Sequence, residues 1–164
     1  MARMNPMQNT DSEFAESVVA IKRTAAVVKG GRRFSFSALV VVGDKAGRVG
    51  FGYGKAREVA DAIRKGSAEA RKHMLPIPLR GDTIPHAIVG RFGATRVKLI
   101  PAGPGTGVIA GAAARAVLAN SGIVNILTKV HGSTNAMNVV KATLQGLTSL
   151  RTREQVAQLR GVKL

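Results

Sequence analysis

Five consecutive residues, Lys29-Gly30-Gly31-Arg32-Arg33, combine the two ingredients of a phosphate grip. The glycines carry no side chain to hold a phosphate off the backbone, and the three cations beside them can neutralise it. Further on, Lys55 and Arg57 stand where a strand pattern gives way to a helical one. A helix N-terminus adds its own attraction for anions. The chemistry open to such residues is electrostatic capture of a sugar–phosphate backbone.

Composition points the same way. The 164 residues carry 25 Lys plus Arg against 9 Asp plus Glu, a formal net charge of +16. That balance suits a polyanion far better than a small neutral substrate. The cations are also segregated. No acid separates Glu16 from Asp44, where Lys22, Arg23, Lys29, Arg32 and Arg33 lie, and none separates Asp82 from Glu154. Ordinary surfaces intersperse both signs. The chain has no cysteine, which removes disulfides, thiolate metal sites and Cys nucleophiles together. No apolar run approaches the ~18 residues of a membrane helix. Met1 to Ser12 lacks an apolar core and reads as a polar tail, not a targeting peptide. The expectation is a soluble, basic, intracellular protein with no membrane partner.

Motifs for other chemistry fall short. Gly50-Phe51-Gly52-Tyr53-Gly54 has the context of a dinucleotide fingerprint, but its third glycine comes one residue early and no acid follows on a strand tip. Gly54-Lys55 lacks the hydroxyl residue of a P-loop, since Ala56 stands there. Gly103-Pro104-Gly105-Thr106-Gly107 before a helical pattern could cradle phosphate, yet a tight loop entering a closely packed helix explains it better. Phe51 and Tyr53 share a strand face and are expected in the core, because 4% aromatics is too few for a base-stacking platform. His73, His86 and His131 have no metal-ligand spacing, and His86 reads as structural. No catalytic acid pair can exist between Thr83 and Arg153. The chain is therefore read as having no catalytic residue, metal, cofactor or small-molecule substrate.

The elements that must position these residues follow from periodicity. Ser17–Val28, Phe34–Val42 and Arg48–Tyr53 read as strands, and the run Ala38–Val42 implies burial on both faces. Ala56, Val59, Ala60, Ile63, Ser67, Ala70 and Met74 follow helical spacing. Pro76-Ile77-Pro78 ends this βββα unit. Beyond it, strands are expected over Thr83–Val89 and Thr95–Ile100, turning near Gly90-Arg91-Phe92-Gly93. A helix is expected over Val108–Ala119 with Thr106 as its N-cap, then a strand over Ile123–Val130 and a helix over Ala136–Leu147 opened by Ser133-Thr134-Asn135. Thr152 and Gln155 have capping-box spacing for a short last helix. The class is α+β: a tail over 1–15, an RNA-binding βββα domain over 16–78, a ββαβα domain over 79–150 and a tail with a short helix over 151–164.

Four stretches carry a resemblance. They are Val28 to Phe36, Gly47 to Glu58, Pro101 to Gly111, and Gly132 to Asn135 continuing through Asn138-Val139-Val140. In this order they closely resemble the bacterial small-subunit ribosomal protein S-five family, from about Ser17 to Leu150. The resemblance implies a first domain like a double-stranded-RNA-binding domain and a second α/β domain containing a left-handed βαβ crossover, against the usual hand. It implies small-subunit ribosomal RNA as partner, with the small-subunit proteins four and eight as neighbours and messenger RNA passing nearby, in the cytoplasm. The implied roles are subunit assembly and decoding accuracy. The RNA-binding set expected is Lys22, Arg23, Lys29, Gly30, Gly31, Arg32, Arg33, Arg48, Lys55, Arg57, Arg64, Lys129, Ser133 and Asn135. Gly107 and Arg115 match positions at or near the family's contact with protein four. Two other readings compete. A free-standing double-stranded-RNA regulator or RNA chaperone would exist outside ribosomes, and a phosphate-dependent enzyme using Gly105–Gly107 would bind nucleotide saturably.

Overall fold

The computed structural model describes residues 14–161, so the expected N-terminal tail lies almost wholly outside the described residues. The first unit comprises β1 (Ala15–Val28), β2 (Gly31–Gly43), β3 (Arg48–Ala56), α1 (Val59–Lys72) and β4 (Leu75–Pro76). Its four strands form one antiparallel sheet in chain order. The second unit comprises β5 (Ile88–Phe92), β6 (Thr95–Pro101), β7 (Val108–Ile109), α2 (Ala112–Ser121), β8 (Ile126–Gly132) and α3 (Ala136–Thr148), with α4 (Arg153–Arg160) after it. Its sheet order is β5-β6-β8-β7, with only β7 and β8 parallel.

The βββα reading holds, and β2 shows why its apolar run is unbroken. Ala38, Val40 and Val42 pack with Ala62 and Ala70 of α1. Leu39 and Val41 turn the other way and join a cluster containing Val97, Val117, Leu118 and Val140 of the second unit. All five β2 residues are at most 2% exposed. The first sheet is thus sandwiched between its own helix and the second unit, and the cluster on the face away from α1 is shared by both units.

The glycines of β3 have a structural reason. A Cβ at Gly50, Gly52 or Gly54 would fall on the backbone of Ala70, Gly66 or Ala62 respectively. The repeat is a flat seat that lets α1 lie directly on the strand. Polar bonds hold the arrangement. Glu16 of β1 accepts from Ser67 Oγ at 2.8 Å and from Arg71 Nη2 at 2.9 Å, and Glu69 accepts from the Tyr53 amide at 2.9 Å.

The second unit departs from the sequence reading at four places. Thr83–Ala87 is not a strand: Ile84 is buried, Pro85 has no N–H to offer a ladder, and only an isolated Arg80–Thr83 bridge forms. The strand instead covers Ile88–Phe92, so the turn falls at Gly93-Ala94. The expected helix Val108–Ala119 begins with β7 and becomes helical only at Ala112, with Gly111 as N-cap. Thr106 is not that cap; its Oγ donates to the Gly103 carbonyl at 2.8 Å. Strand β8 starts at Ile126, not Ile123, because the Val124 and Asn125 amides both donate to the Asp82 carbonyl at 3.0 Å. The two terminal caps hold: Asn135 accepts from the Met137 amide, and Thr152 with Gln155 forms the full capping box.

Candidate nucleic-acid interface

Strands β1 and β2 pair without a break from Ala20–Leu39 out to Val28–Gly31, which closes a two-residue turn at Lys29-Gly30. Every residue from Ile21 to Phe34 is exposed, so the outer half of this hairpin projects from the body as a ribbon open on both sides. Gly31 takes φ +143°, a conformation an L side chain adopts only with strain, and a Cβ at Gly30 would meet nothing within 4 Å. The tip therefore offers bare backbone flanked by Lys29, Arg32 and Arg33.

Period-two alternation sorts the ribbon into two faces. Lys22, Thr24 and Ala26 stand opposite Ser37, Ser35 and Arg33 on one face; Arg23, Ala25 and Val27 stand opposite Phe36, Phe34 and Arg32 on the other. Pairing with β3 extends the first face through Lys55 opposite Ser37 and Tyr53 opposite Leu39. At its base lies a cleft of about 200 Å³ between the two units, bounded by Lys22, Ser37 and Tyr53 on one wall and Asn135 and Met137, opening α3, on the other. Cations cover the exposed rings: Arg23 lies 4.4 Å from the centroid of Phe34, and Lys55 lies 5.6 Å from that of Tyr53. A second hollow joins Thr24, Ser35, Lys55, Arg57 and Lys65 at the entrance to α1, beside Asp61. This arrangement can neutralise phosphates at the tip and admit a nucleic-acid backbone along the ribbon toward the cleft.

The expected binding residues fall into groups. Lys22, Lys29, Gly30, Gly31, Arg32, Arg33, Lys55 and Arg57 are brought together on the ribbon and its base, and Asn135 faces them across the cleft. Of these, Arg32 lies with Arg23 on the opposite face of the ribbon from Lys22 and Arg33. Ser133 and Asn135 also serve α3: Ser133 Oγ accepts from the Asn135 amide and Asn135 Oδ1 from the Met137 amide. Arg48 is at the far end of the sheet, its Nε 3.1 Å from Asp44 Oδ2. Arg64 sits on the outer face of α1, paired with Asp61 at 2.8 Å. Lys129 is on the second sheet. Gly107 and Arg115 occupy its β7–α2 edge, with the Gly107 amide donating to Asn125 Oδ1 at 2.9 Å.

The competing motifs can now be located. Lys55 is inside a strand, not a P-loop turn. The Gly103–Gly107 loop leads into β7 rather than a helix N-terminus, which removes the dipole a phosphate cradle would use. Tyr53 is 37% exposed and so is not in the core as expected, while Phe51 is half-buried. His86 accepts the Arg151 amide at Nε2 and its Nδ1 is 3.0 Å from the Ala87 carbonyl. Among the described residues no three His, Cys, Asp or Glu side chains cluster as metal ligands.

Sequence reasoning did not single out Thr24, Ser35 and Tyr53 as groove residues. Register alone reveals them, because neutral polar side chains leave no charge signal. Arg96 and Lys98 belong to the second acid-free stretch, which reads as a surface for phosphate, but the expected binding set leaves them out although their alternation with Thr95, Val97 and Leu99 was there to be read.

Comparison with known proteins identifies the family. The family model described as "Ribosomal protein S5, N-terminal domain" matches residues 14–78, and "Ribosomal protein S5, C-terminal domain" matches residues 90–160. A "Small ribosomal subunit protein uS5" of Syntrophobacter fumaroxidans is 58% identical over 158 residues, covering 96% of this chain and 95% of its own. Proteins of the same name from Rhodopirellula baltica and Idiomarina loihiensis are 54% and 52% identical, covering 96% and 93% of this chain and 89% and 92% of theirs. Two family models in the right order, and relatives matched along nearly their whole length, place this chain in the ribosomal protein S5 family.

Proposed function

We propose that the chain is a structural, non-catalytic constituent of the small ribosomal subunit that holds ribosomal RNA through the β1–β2 ribbon and the cleft at its base. The names of its relatives support the assignment. The observation that carries the mechanism is the ribbon itself. It exposes both faces, bears Lys22, Arg23, Lys29, Arg32 and Arg33, and contains no acid. A two-stranded ribbon of this kind is marginal alone and gains order against a partner. Asp61, beside the ribbon's base, is bonded to Arg64, and Glu16 and Asp44 lie at the far end of the sheet bonded to Arg71 and Arg48, which leaves the ribbon cations for phosphate.

Mechanistically, the ribbon neutralises phosphates while the shared core cluster keeps the two units rigid behind it. Structured RNA is then gripped by shape and backbone rather than by base reading. In the finer reading, Gly107 and Arg115 meet small-subunit protein four, protein eight is a second neighbour, and messenger RNA enters nearby in the cytoplasmic ribosome. Assembly and decoding accuracy would both depend on these contacts.

The test is a chain carrying Arg32→Glu and Arg33→Glu as the cell's sole copy. Small-subunit precursors should accumulate and a misreading reporter should change. Normal subunit profiles together with normal accuracy would contradict the role given to the ribbon.

A further inference from the structure

The second sheet has one face under helices and one face open. Thr95, Val97 and Leu99 are fully buried, and a Cβ at Gly90 would fall on the Ala142 carbonyl of α3. The alternate residues are exposed, and register sets them in rows. Arg91 stands opposite Arg96, which stands opposite His131; in the next row Lys98 stands opposite Lys129. Neighbouring strands lie about 4.8 Å apart and same-face residues along a strand about 6.8 Å apart. Four permanent cations thus share a small flat lattice with like charges directly opposed, a placement that costs stability. No acid occurs between Asp82 and Glu154 to relieve it.

We infer that this open face is a second docking surface for RNA, taking the phosphodiester backbone of a double-helical segment. It lies on a different sheet from the ribbon. The inference rests on the reading of the chain as an RNA-binding ribosomal protein. The charge chooses the occupant: lysine is depleted from protein–protein interfaces, whereas Arg and Lys supply the contacts to phosphate. The shape agrees, since the shallow minor groove of A-form RNA is recognised by surface fit and backbone contacts. The opposed cations, unfavourable in the free chain, become favourable when phosphates lie between them.

The signature to test is opposite behaviour of stability and binding. Lys98→Glu replaces a repulsive cross-strand pair with an ion pair to Lys129. The free full-length variant should melt at the same temperature as the parent or higher. Its binding to purified small-subunit ribosomal RNA should weaken, with the log–log salt slope shallower by roughly one. The triple variant Arg96→Glu, Lys98→Glu, Lys129→Glu should lose roughly two to three from that slope. Its loss should add to that of Arg32→Glu with Arg33→Glu, as expected for separate surfaces. Unchanged RNA affinity and salt slope in the triple variant would overturn the inference. So would normal RNA affinity combined with failure to enter subunits, because the face would then meet a protein. A parent chain that binds no ribosomal RNA would instead defeat the underlying reading, and an inert ribbon variant would bear only on the ribbon.

Discussion

Asn120 donates from Nδ2 to the Val41 carbonyl at 3.0 Å, joining the end of α2 to the central strand of the first sheet across 79 positions of chain. Its Oδ1 accepts from Ser17 Oγ at 3.2 Å, and Ser17 and Val41 are themselves cross-strand partners. One 3%-exposed amide therefore clasps both members of a ladder pair from the other unit. Backbone bonds reinforce it: the Lys45 amide donates to the Asn120 carbonyl and the Gly47 amide to that of Ser121.

Asn120→Ala removes both side-chain bonds and strands the Ser17 hydroxyl in a partly buried site. Losing a buried network of this kind costs about 2–3 kcal/mol. Urea unfolding should show the midpoint falling for both units together, in one transition, because the core is shared. Two separate transitions in the parent chain would contradict that coupling.

The β3 glycines and the hairpin glycine should respond differently to the same change. Gly52→Ala drives a methyl group into the Gly66 backbone, where neither helix nor strand can yield cheaply. Overpacking costs of about 1–3 kcal/mol are the minimum expected. Gly30→Ala meets nothing and should leave the melting temperature nearly unchanged, while reducing RNA affinity if phosphate approaches the bare backbone there. Equal melting temperatures for the two variants would refute the seat argument.

Much of this is legible in the sequence. The buried run Ala38–Val42, the helix opening at Ser133-Thr134-Asn135 and the Thr152–Gln155 box each express a local rule, and each appears as read. The turn after Val28 is also there, but it is only Lys29-Gly30, because Gly31, Arg32 and Arg33 already pair with Val28, Val27 and Ala26 as the start of β2. What was not legible depends on distant partners. Two-residue β4 and β7 have no period of their own and exist because β3 and β8 offer free edges. The Ala-rich stretch after Val108 favours helix locally, but β8 captures its first residues. For the site, charge exposed the tip at once. The cleft wall from α3 and the lattice of Arg91, Arg96, Lys98 and Lys129 required knowing which strands are neighbours.

Asp44 predicts an acid sensitivity. Partial burial pushes its carboxyl up, but the Ala46 and Arg48 amides and the Arg48 guanidinium more than offset this, leaving the pKa below its ordinary value of 3.8. A carboxyl depressed in the folded state adds stability above its unfolded pKa of about 4 and loses it as pH falls through the folded value. Thermal melts should therefore decline on acidification below about pH 4, and Asp44→Asn should flatten that decline. A parent and variant with parallel pH profiles would show that the β2–β3 loop does not depend on this carboxylate.

The central claim is that the chain is built into the small subunit rather than visiting it. Sedimentation of the tagged chain from lysate through sucrose, at moderate and at high salt, tests this most directly. The account predicts co-migration with small subunits at both salts, because two surfaces and protein contacts hold the chain as well as screened charge. Migration at the top of the gradient, or release from subunits by high salt alone, would contradict it and leave a peripheral RNA-binding protein in its place.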